Sequence, residues 1–443
     1  MSPPRHSRVL VLAACVAALA AVGCRHAPQP TPSAITPSTS TAGSPGSFTV
    51  RDVRLFDGER VTEHSTVIVA NGRIARIGGG DIAPAGREID GSGRTLLPGL
   101  VDAHVHVGDD VDAILRQAAS LGVTTMVDMW NRGERFTALK RARDTDPPHL
   151  AAILTAGTGA TATGGHPSQM GGGPFPTIDD PAEAQAFVDA RIAEGSDFLK
   201  IVYDDLRSLG FPARPTVSRE TLAALVQAAH RRGKLAVVHI STEAQAREAI
   251  AAGADGLAHL FAGETVAPGF GELAARQGVF VVPTLSVLET FCGRPNGTAL
   301  LADPDLKPFL GPMWRQRLGA SFERPAQPCA AIGDGMRQLA AAGASVVAGT
   351  DAPNPGTAYG ASLHGELALY VSHGMTPVQA LVSATSAAAR AFRLADRGLV
   401  REGMRADLVL VEGDPTTDIL ATRRIVEVWK AGVPVERRRF PAE

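Results

Sequence analysis

The chain has 443 residues, enough to bury a large core and to form one to three domains. Hydrophobic residues make up 44% of the sequence and charged residues 20%, which is ordinary for a globular protein. The formal net charge of -2 gives no electrostatic reason to expect nucleic acid as a partner. We therefore expect a globular protein that does not bind nucleic acid.

The first 24 residues predict an export signal. Arg5 and Arg8 form a charged start, and the apolar run at 9–23 is too short to span a bilayer, which takes about 20 residues. The run ends in Ala-Val-Gly before Cys24, which resembles a bacterial lipobox, in which this cysteine is lipidated. We expect an exported protein anchored through a lipid at Cys24, facing the periplasm or the cell exterior. An ordinary signal peptide cleaved nearby is the alternative.

Both ends of the remaining chain predict strands. Before them, residues 25–47 are rich in proline, serine, threonine and alanine, which predicts a disordered linker. An Asn-Gly pair at 71–72 lies between two strand-like runs, which is a strong hairpin signal. Similar apolar runs return after residue 407. Together these patterns predict a small β-sandwich domain built from residues 48–97 and 396–437.

Between these two segments, residues 98–395 predict an α/β domain. Eight short apolar runs alternate with helical patterns there, as the βα units of a parallel sheet do. The runs lie at 99–102, 124–127, 150–154, 198–201, 235–238, 256–258, 279–282 and 345–348. Eight strands in about 300 residues predict a closed (β/α)₈ TIM-like barrel. An open doubly wound sheet is the alternative, although no GxGxxG turn follows the first run.

A long irregular stretch at 284–333 interrupts this alternation. It is too long for a simple connection, so we expect it to fold over the barrel mouth. It contains Cys292 and Cys329, the two of four cysteines that lie outside the signal. In an exported protein these two can form a disulfide, and two buried thiols are the alternative.

Ionisable residues lie where the apolar runs end. They are His104 and His106 after the first run, Lys200 in the fourth, His239 after the fifth, His259 after the sixth and Asp351 after the eighth. Residues i and i+2 of a strand point the same way, so His104 and His106 can bind one ion together. Parallel strands all end at the same face of a barrel, where barrel enzymes carry out their chemistry. We therefore expect a metal centre, because imidazole and carboxylate groups are good ligands for Zn²⁺ and similar ions.

Lys200 needs its own explanation, because an ammonium group repels cations. The conflict disappears if CO₂ carboxylates the lysine, since the carbamate is anionic and offers one oxygen to each of two metals. Lys200 therefore predicts two divalent ions rather than one, with Zn²⁺ as the first choice.

The segment 97–106, Leu-Pro-Gly-Leu-Val-Asp-Ala-His-Val-His, with the later lysine, histidines and aspartate, resembles the binuclear, metal-dependent branch of the amidohydrolase superfamily. More narrowly, it is similar to bacterial dipeptidases of the prolidase and Xaa-amino-acid type, which are related to imidazolonepropionase. The resemblance covers roughly residues 48–435. It implies a hydrolase that cleaves amide C–N bonds, with dipeptides or N-acyl amino acids as substrates.

The resemblance also implies a role for each residue of the cluster. The histidine pair at 104–106 and Asp351 would bind the buried metal, His239 and His259 would bind the exposed one, and carboxylated Lys200 would bridge them. Asp351 would take the proton of the metal-bridging hydroxide and pass it to the leaving amine. A carboxylate beside an activated water is well placed for general base and then general acid work.

Two further residues are candidates for substrate binding. Tyr203, three residues after Lys200, could polarise the substrate carbonyl through a hydrogen bond. His166 lies in a glycine-rich loop after the third run, which is similar to a substrate-contact loop of the related dipeptidases. For each, a structural loop residue is the alternative. His364 and Glu366 are expected to support the site or the fold rather than to bind metal.

Other functions remain as alternatives. The same centre could serve a cyclic-amide, lactone or phosphoester hydrolase, because one fold and one metal site support several reactions. A non-catalytic binding homologue would have lost metal ligands, and none is lost here. We expect a small molecule or short peptide as the substrate. A homo-oligomer is compatible with the sequence.

Overall fold

The computed structural model describes residues 46–171, 173–322 and 325–441. The predicted export signal at 1–24 lies outside these residues, as does nearly all of the predicted linker at 25–47. Within the described part of the chain, no helix has both the length and the apolar character needed to cross a membrane.

The ends and the middle of the described chain differ in secondary structure. The strands are β1 Phe48–Phe56, β2 Val61–Ala70, β3 Arg73–Gly78, β4 Arg87–Asp90, β5 Arg94–Pro98, β6 Leu100–Val105, β7 Val123–Asp128, β8 Ala152–Thr155, β9 Leu199–Val202, β10 Ala236–His239, β11 Gly256–Ala258, β12 Phe280–Val282, β13 Leu408–Glu412, β14 Ile425–Lys430 and β15 Val433–Pro434. The α-helices are α1 Val111–Ser120, α2 Gly133–Thr145, α3 Ala184–Glu194, α4 Arg219–Arg231, α5 Glu243–Ala251, α6 Phe270–Gln277, α7 Leu285–Phe291, α8 Gly297–Ala302, α9 Pro312–Leu318, α10 Ala330–Ala341, α11 Ala361–Ser372, α12 Pro377–Ser383 and α13 Ser386–Ala391. Both ends of the described chain are therefore rich in strands, and the α-helices lie between them.

The strands of the two chain ends form one eight-stranded sheet. Its order is β15-β14-β13-β5-β1-β2-β3, with β4 paired to β1. The ends meet where β13 pairs antiparallel with β5, with Leu410 opposite Leu96. On the buried side, the ring of Phe48 stacks on that of Trp429 with 4.8 Å between centroids. A sandwich of two sheets, and the domain boundaries themselves, stay predictions.

The hairpin between β2 and β3 turns where the sequence predicts it. The two strands pair antiparallel, and Asn71 and Gly72 connect them. Both residues have positive φ, 53° and 74°. A two-residue turn of this kind requires positive φ at both positions, which asparagine and glycine adopt most easily.

The middle of the chain is an α/β structure with parallel sheets, as predicted. Strands β6-β7-β8 form one sheet and β12-β11-β10-β9 another, and all pairs within them are parallel. Isolated parallel bridges join strands of these sheets to neighbouring segments, at Ala160–Ile201, Val281–Val346 and Val105–Ala352. The eighth predicted run, 345–348, is not a regular strand, but Val347 N donates to Val281 O at 2.9 Å.

Successive side chains of the parallel strands pack into two different cores. Leu199 and Ile201 of β9 belong to the large core that includes most of the helices. Val101, Val127 and Val237 belong to a smaller core on the other face of the strands. Because side chains alternate along a strand, Lys200 points away from the large core.

Local capping explains where two predicted helices begin. The Ser218 side chain accepts from Thr221 N at the start of α4. At the start of α5, Thr242 and Gln245 form a capping box, each side chain accepting from the other's backbone N–H. Such caps satisfy backbone groups that the first helical turn leaves unpaired.

The stretch at 284–333 contains three short helices, α7 to α9, and the start of α10. Cys292, at the end of α7, and Cys329, just before α10, form a disulfide with 5.8 Å between their Cα atoms. This settles the choice that the sequence left open, in favour of the pair over two thiols. The disulfide closes a loop that contains α8 and α9.

Candidate metal centre

Three predicted ligands meet at the carboxyl end of β6. His104 is buried within β6, His106 follows that strand, and Asp351 lies in the segment beside it. The Nε2 atoms of His104 and His106 lie 3.4 Å and 3.2 Å from Asp351 Oδ1. One ligand atom from each residue lies within 4.8 Å of the others, so these three side chains could hold a metal ion.

The other two histidines predicted as ligands lie directly beside this group. His239 ends β10 and His259 follows β11. Their rings are close, with His239 Nδ1 3.1 Å from His259 Nε2. The His259 ring lies 4.7 Å from that of His104, centroid to centroid. These two histidines and the first group therefore lie together on one face of the parallel strands.

The donor atoms of this cluster fit a positive ion. Four buried atoms of this cluster have no hydrogen-bond partner among the described residues: His104 Nδ1 and Nε2, Lys200 Nζ and Asp351 Oδ1. A buried polar atom without a partner costs free energy, and most buried polar groups are paired. Neutral imidazole, carboxylate and carbamate groups are ligands that divalent metals prefer. The concentration of unpaired donors at one point is what a metal site requires.

Burial sets the charges of the cluster. It lowers the pKa of Lys200 to about 7, against the opposing effect of Asp351. Burial also lowers the pKa values of His104 and His259 well below the usual range. Burial disfavours the charged form of a base, so both imidazoles are neutral, as metal ligands must be.

The backbone brings Asp351 close to His104. Asp351 N donates to His104 O at 2.8 Å, and the Asp351 φ is 58°. Buried Asp102 accepts from Thr350 N at 3.0 Å and from Thr350 Oγ1 at 2.7 Å. At Gly349 a Cβ would lie 2.8 Å from His104 N, so only glycine allows this close approach. These contacts fix the position of the carboxylate.

A cavity of about 1180 Å³ opens from this cluster. All six predicted ligands except buried His104 line it, with side chains from the surrounding loops. The stretch at 284–333 contributes Val287, Leu288, Phe291, Arg317 and Phe322 to its wall. This long excursion therefore forms part of the mouth of the site.

The model of the amidohydrolase family matches residues 95–435, more than three quarters of the chain. The chain belongs to the amidohydrolase family. This confirms the resemblance carried by the segment 97–106, and it makes the protein a hydrolase of this superfamily.

Relatives of this amidohydrolase have several activities. The chain is 25% identical over 395 residues to ochratoxinase of Aspergillus niger, covering 76% of the chain and 75% of the relative. It is 28% identical over 398 residues to imidazolonepropionase of Deinococcus radiodurans, covering 84% and 92%. Among solved structures, a Xaa-Pro dipeptidase with bound methionine has a TM-score of 0.70 at 24% identity, covering 88% of this chain and all of that one. Molinate hydrolase has a TM-score of 0.68 at 23% identity, covering 89% and 95%. Both structures show that the fold is shared.

The amidohydrolase brings His166 to the centre but not Tyr203. His166 lines the cavity, and its ring centroid lies 5.5 Å from that of His239. Burial lowers the pKa of His166 to about 3, so its ring is neutral. The Tyr203 hydroxyl donates to Glu248 on α5 and does not line the cavity. Alternation along β9 explains this, because Lys200 faces the cavity and Tyr203 packs on the other face. The placement does not support a role for Tyr203 in binding substrate.

His364 and Glu366 have the supporting roles expected of them. Buried Glu366 accepts from the backbone N–H groups of Leu285 and Ser286, both at 2.6 Å, at the start of α7. The buried His364 ring contacts Thr422 Oγ1 and Leu121 O, each at 3.0 Å. Neither residue lines the cavity.

Two polar side chains of the site were missed by the sequence analysis. Asp204 Oδ2 lies 3.1 Å from His239 Nε2, and Thr284 Oγ1 lies 2.7 Å from His259 Nδ1. Each engages one ring nitrogen, so the other nitrogen of each histidine faces its neighbour. Partners of this kind orient metal-binding histidines. Asp204 follows β9 by two residues, and this position among polar residues at strand ends was the available signal.

Proposed function

We propose that this amidohydrolase cleaves the amide C–N bond of dipeptides or N-acyl amino acids with the help of two divalent metal ions, Zn²⁺ being the first choice. The residues that would hold the ions are His104, His106, Lys200, His239, His259 and Asp351. The proposal rests on one observation above all: the six side chains, which come from five separate segments of the chain, lie together at one face of the parallel strands. Buried, neutral and otherwise unpaired donors at such a point support a metal site.

The proposal includes a closed barrel of eight parallel strands. The bridge at Ala160–Ile201 lies between the loop after β8 and β9. The segment before and after Asp351 bridges to β12 at Val281 and to β6 at Val105. These bridges lie where a closed barrel needs contacts between its sheets. The resemblance to solved amidohydrolase-like folds supports the same arrangement.

Lys200 is proposed to be carboxylated. The side chain is buried, and its amine would carry a positive charge, when protonated, in a cluster proposed to hold cations. A deprotonated amine can attack CO₂ and then release one proton to solvent, and the resulting carbamate would supply a negative charge and two oxygens to help hold the ions. An unmodified ammonium would instead repel both ions at short range.

Asp351 is proposed to move the proton during hydrolysis. Bound divalent ions would lower the pKa of a water molecule and polarise the scissile carbonyl. The Asp351 carboxylate lies between the two histidine rings and also lines the cavity, so it can reach both the ligand group and the substrate. It would accept a proton from the attacking water and return it to the leaving nitrogen.

Arg317 supports the choice of substrate class. Its exposed side chain lines the cavity, and no carboxylate among the described residues pairs with it. Gly356 N donates to Arg317 O at 2.9 Å, which holds this end of α9 against the loop that follows Asp351. The planar guanidinium binds carboxylates with two parallel hydrogen bonds. Dipeptides and N-acyl amino acids have such a carboxylate, whereas neutral lactones and phosphotriesters do not.

A substrate panel tests the proposal. The protein loaded with Zn²⁺ or Mn²⁺ is assayed on dipeptides, N-acyl amino acids, lactones and phosphotriesters. We expect turnover of at least one amide class that a chelator abolishes and added metal restores. Clear cleavage of lactones or phosphotriesters without turnover of any dipeptide or N-acyl amino acid would reject the proposed substrate class.

We also propose that the protein is exported and anchored through a lipid on Cys24. The disulfide between Cys292 and Cys329 supports export, because disulfides persist mainly in oxidising compartments. Mass spectrometry of the mature N-terminus is the test. A lipid-modified Cys24 is expected, and an unmodified N-terminal residue beyond Cys24 would contradict the anchor.

A further inference from the structure

Three phenylalanines that line the cavity pack against one another. We call Phe211, Phe291 and Phe322 the aromatic wall. The rings of Phe291 and Phe322 stack with 4.2 Å between centroids. Phe211 meets them edge-on, at 5.8 Å and 6.3 Å. All three residues line the cavity and are partly exposed.

Apolar side chains connect the aromatic wall to the metal centre. Ile240 follows His239 directly, Leu260 follows His259 directly, and both line the cavity. Leu206, Leu209 and Leu288 line it as well, each less than a tenth exposed. The cavity therefore offers apolar side chains both next to the proposed ligands and at the wall.

The size and the lining of the cavity both indicate a bulky apolar group. Its volume of about 1180 Å³ exceeds the roughly 300–1000 Å³ of common small-molecule pockets. An apolar group that covers partly exposed phenylalanine rings removes apolar surface from water, which favours binding. Aromatic rings gain further from edge-to-face and offset contacts with other rings.

We propose that the aromatic wall binds an aromatic ring that the substrate carries next to its scissile amide. The preferred substrates are then N-aroyl amino acids, or N-acyl amino acids and dipeptides with an aromatic side chain. This inference rests on the proposed amide hydrolysis and names its substrate class.

The position of the wall is fixed by contacts outside the rings. Phe291 is followed by Cys292 of the disulfide, and Gln327 N donates to Phe291 O at 2.9 Å. The backbone is therefore held independently of the Phe291 ring, and a Phe291→Leu variant is expected to fold. Phe187 on α3 is a matched control, because it is also partly exposed but does not line the cavity.

The experiment compares kcat/KM for N-acetyl-L-alanine, N-benzoyl-L-alanine and N-acetyl-L-phenylalanine with the metal-loaded enzyme. At least one aromatic substrate should exceed the alanine substrate roughly tenfold or more. Phe291→Leu and Phe322→Leu should lower kcat/KM for the preferred aromatic substrate severalfold more than kcat/KM for N-acetyl-L-alanine. Phe187→Leu should change neither. A preference for the benzoyl substrate places the ring on the acyl side, and one for the phenylalanine substrate places it on the amine side.

Binding measured by calorimetry separates the failure of this inference from that of the proposed function. Benzoate should bind the wild type more tightly than acetate does, and Phe291→Leu should reduce that difference, whether or not any amide is cleaved. Equal kcat/KM for all three substrates, unchanged in both wall variants, would overturn the inference while the hydrolysis stands. If no amide is cleaved but benzoate still binds more tightly than acetate, only the proposed function is overturned.

Discussion

The inner and outer halves of the cavity are built in opposite ways. The inner half consists of buried polar side chains at strand ends, and backbone contacts such as Asp351 N to His104 O hold them in place. The outer half consists largely of partly exposed apolar and cationic side chains, among them Phe322 and Arg317, from the excursion at 284–333. Chemistry should therefore depend on the rigid inner half, and substrate choice on the outer half.

The largest expected effect is in the inner half, at Asp351. An Asp351→Asn variant keeps the shape of the side chain but cannot accept a proton from water. Its kcat/KM should fall by about 10²–10⁴-fold, the usual contribution of a general base. Thermal unfolding should show an intact fold. A variant with near-normal kcat/KM would refute the role assigned to Asp351.

The next effect is on metal binding, through Asp204. An Asp204→Asn variant removes the carboxylate that contacts His239, and loss of such a partner usually costs about 10–100-fold in metal affinity. Competition with a chelating indicator measures that affinity. The control is Asp205→Asn, because Asp205 pairs with Arg207 and not with a ligand. Equal metal affinity of both variants would show that Asp204 does not support the centre.

In the outer half, Arg317→Ala should change substrate binding and not the chemical step. Loss of a charge-assisted hydrogen bond to the substrate carboxylate should raise KM about tenfold and leave kcat within about twofold. Arg276→Ala is the matched control, since Arg276 is another exposed arginine in the last turn of a helix. A fall in kcat without a rise in KM would contradict a role of Arg317 in substrate binding.

The smallest catalytic effect is expected from the disulfide. A Cys292→Ser, Cys329→Ser double variant loosens the outer half, so KM should rise a few-fold, and stability should fall by about 2–4 kcal/mol. The metal content, measured by elemental analysis, should not change. Loss of metal in this variant would contradict the independence of the two halves.

The two halves also differ in how far the sequence predicts them. The alternation of side chains along strands and the shared end of parallel strands place all six predicted ligands together. The same alternation places Tyr203 away from the cavity, because its odd separation from Lys200 puts it on the opposite side, with Leu199 and Ile201. Asp204 and Thr284 were missed, because loop conformation decides which side chain meets a histidine's second nitrogen.

No periodic pattern of residues in the sequence predicts the outer half of the cavity. Short helices such as α8 and α9 have too few residues to show which face is buried, and nothing in the sequence distance from Phe211 to Phe322 indicates that their rings meet. The eighth run at 345–348 was found from its apolar residues, although it forms bridges rather than a regular strand.

The metal content of the active enzyme tests the central claim most directly. The chain is purified, loaded to constant activity in the presence of bicarbonate, and analysed for metal per chain. Two equivalents per chain are expected, because carboxylated Lys200 would join two adjacent ligand groups. One equivalent in a fully active, fully loaded chain would contradict the binuclear centre.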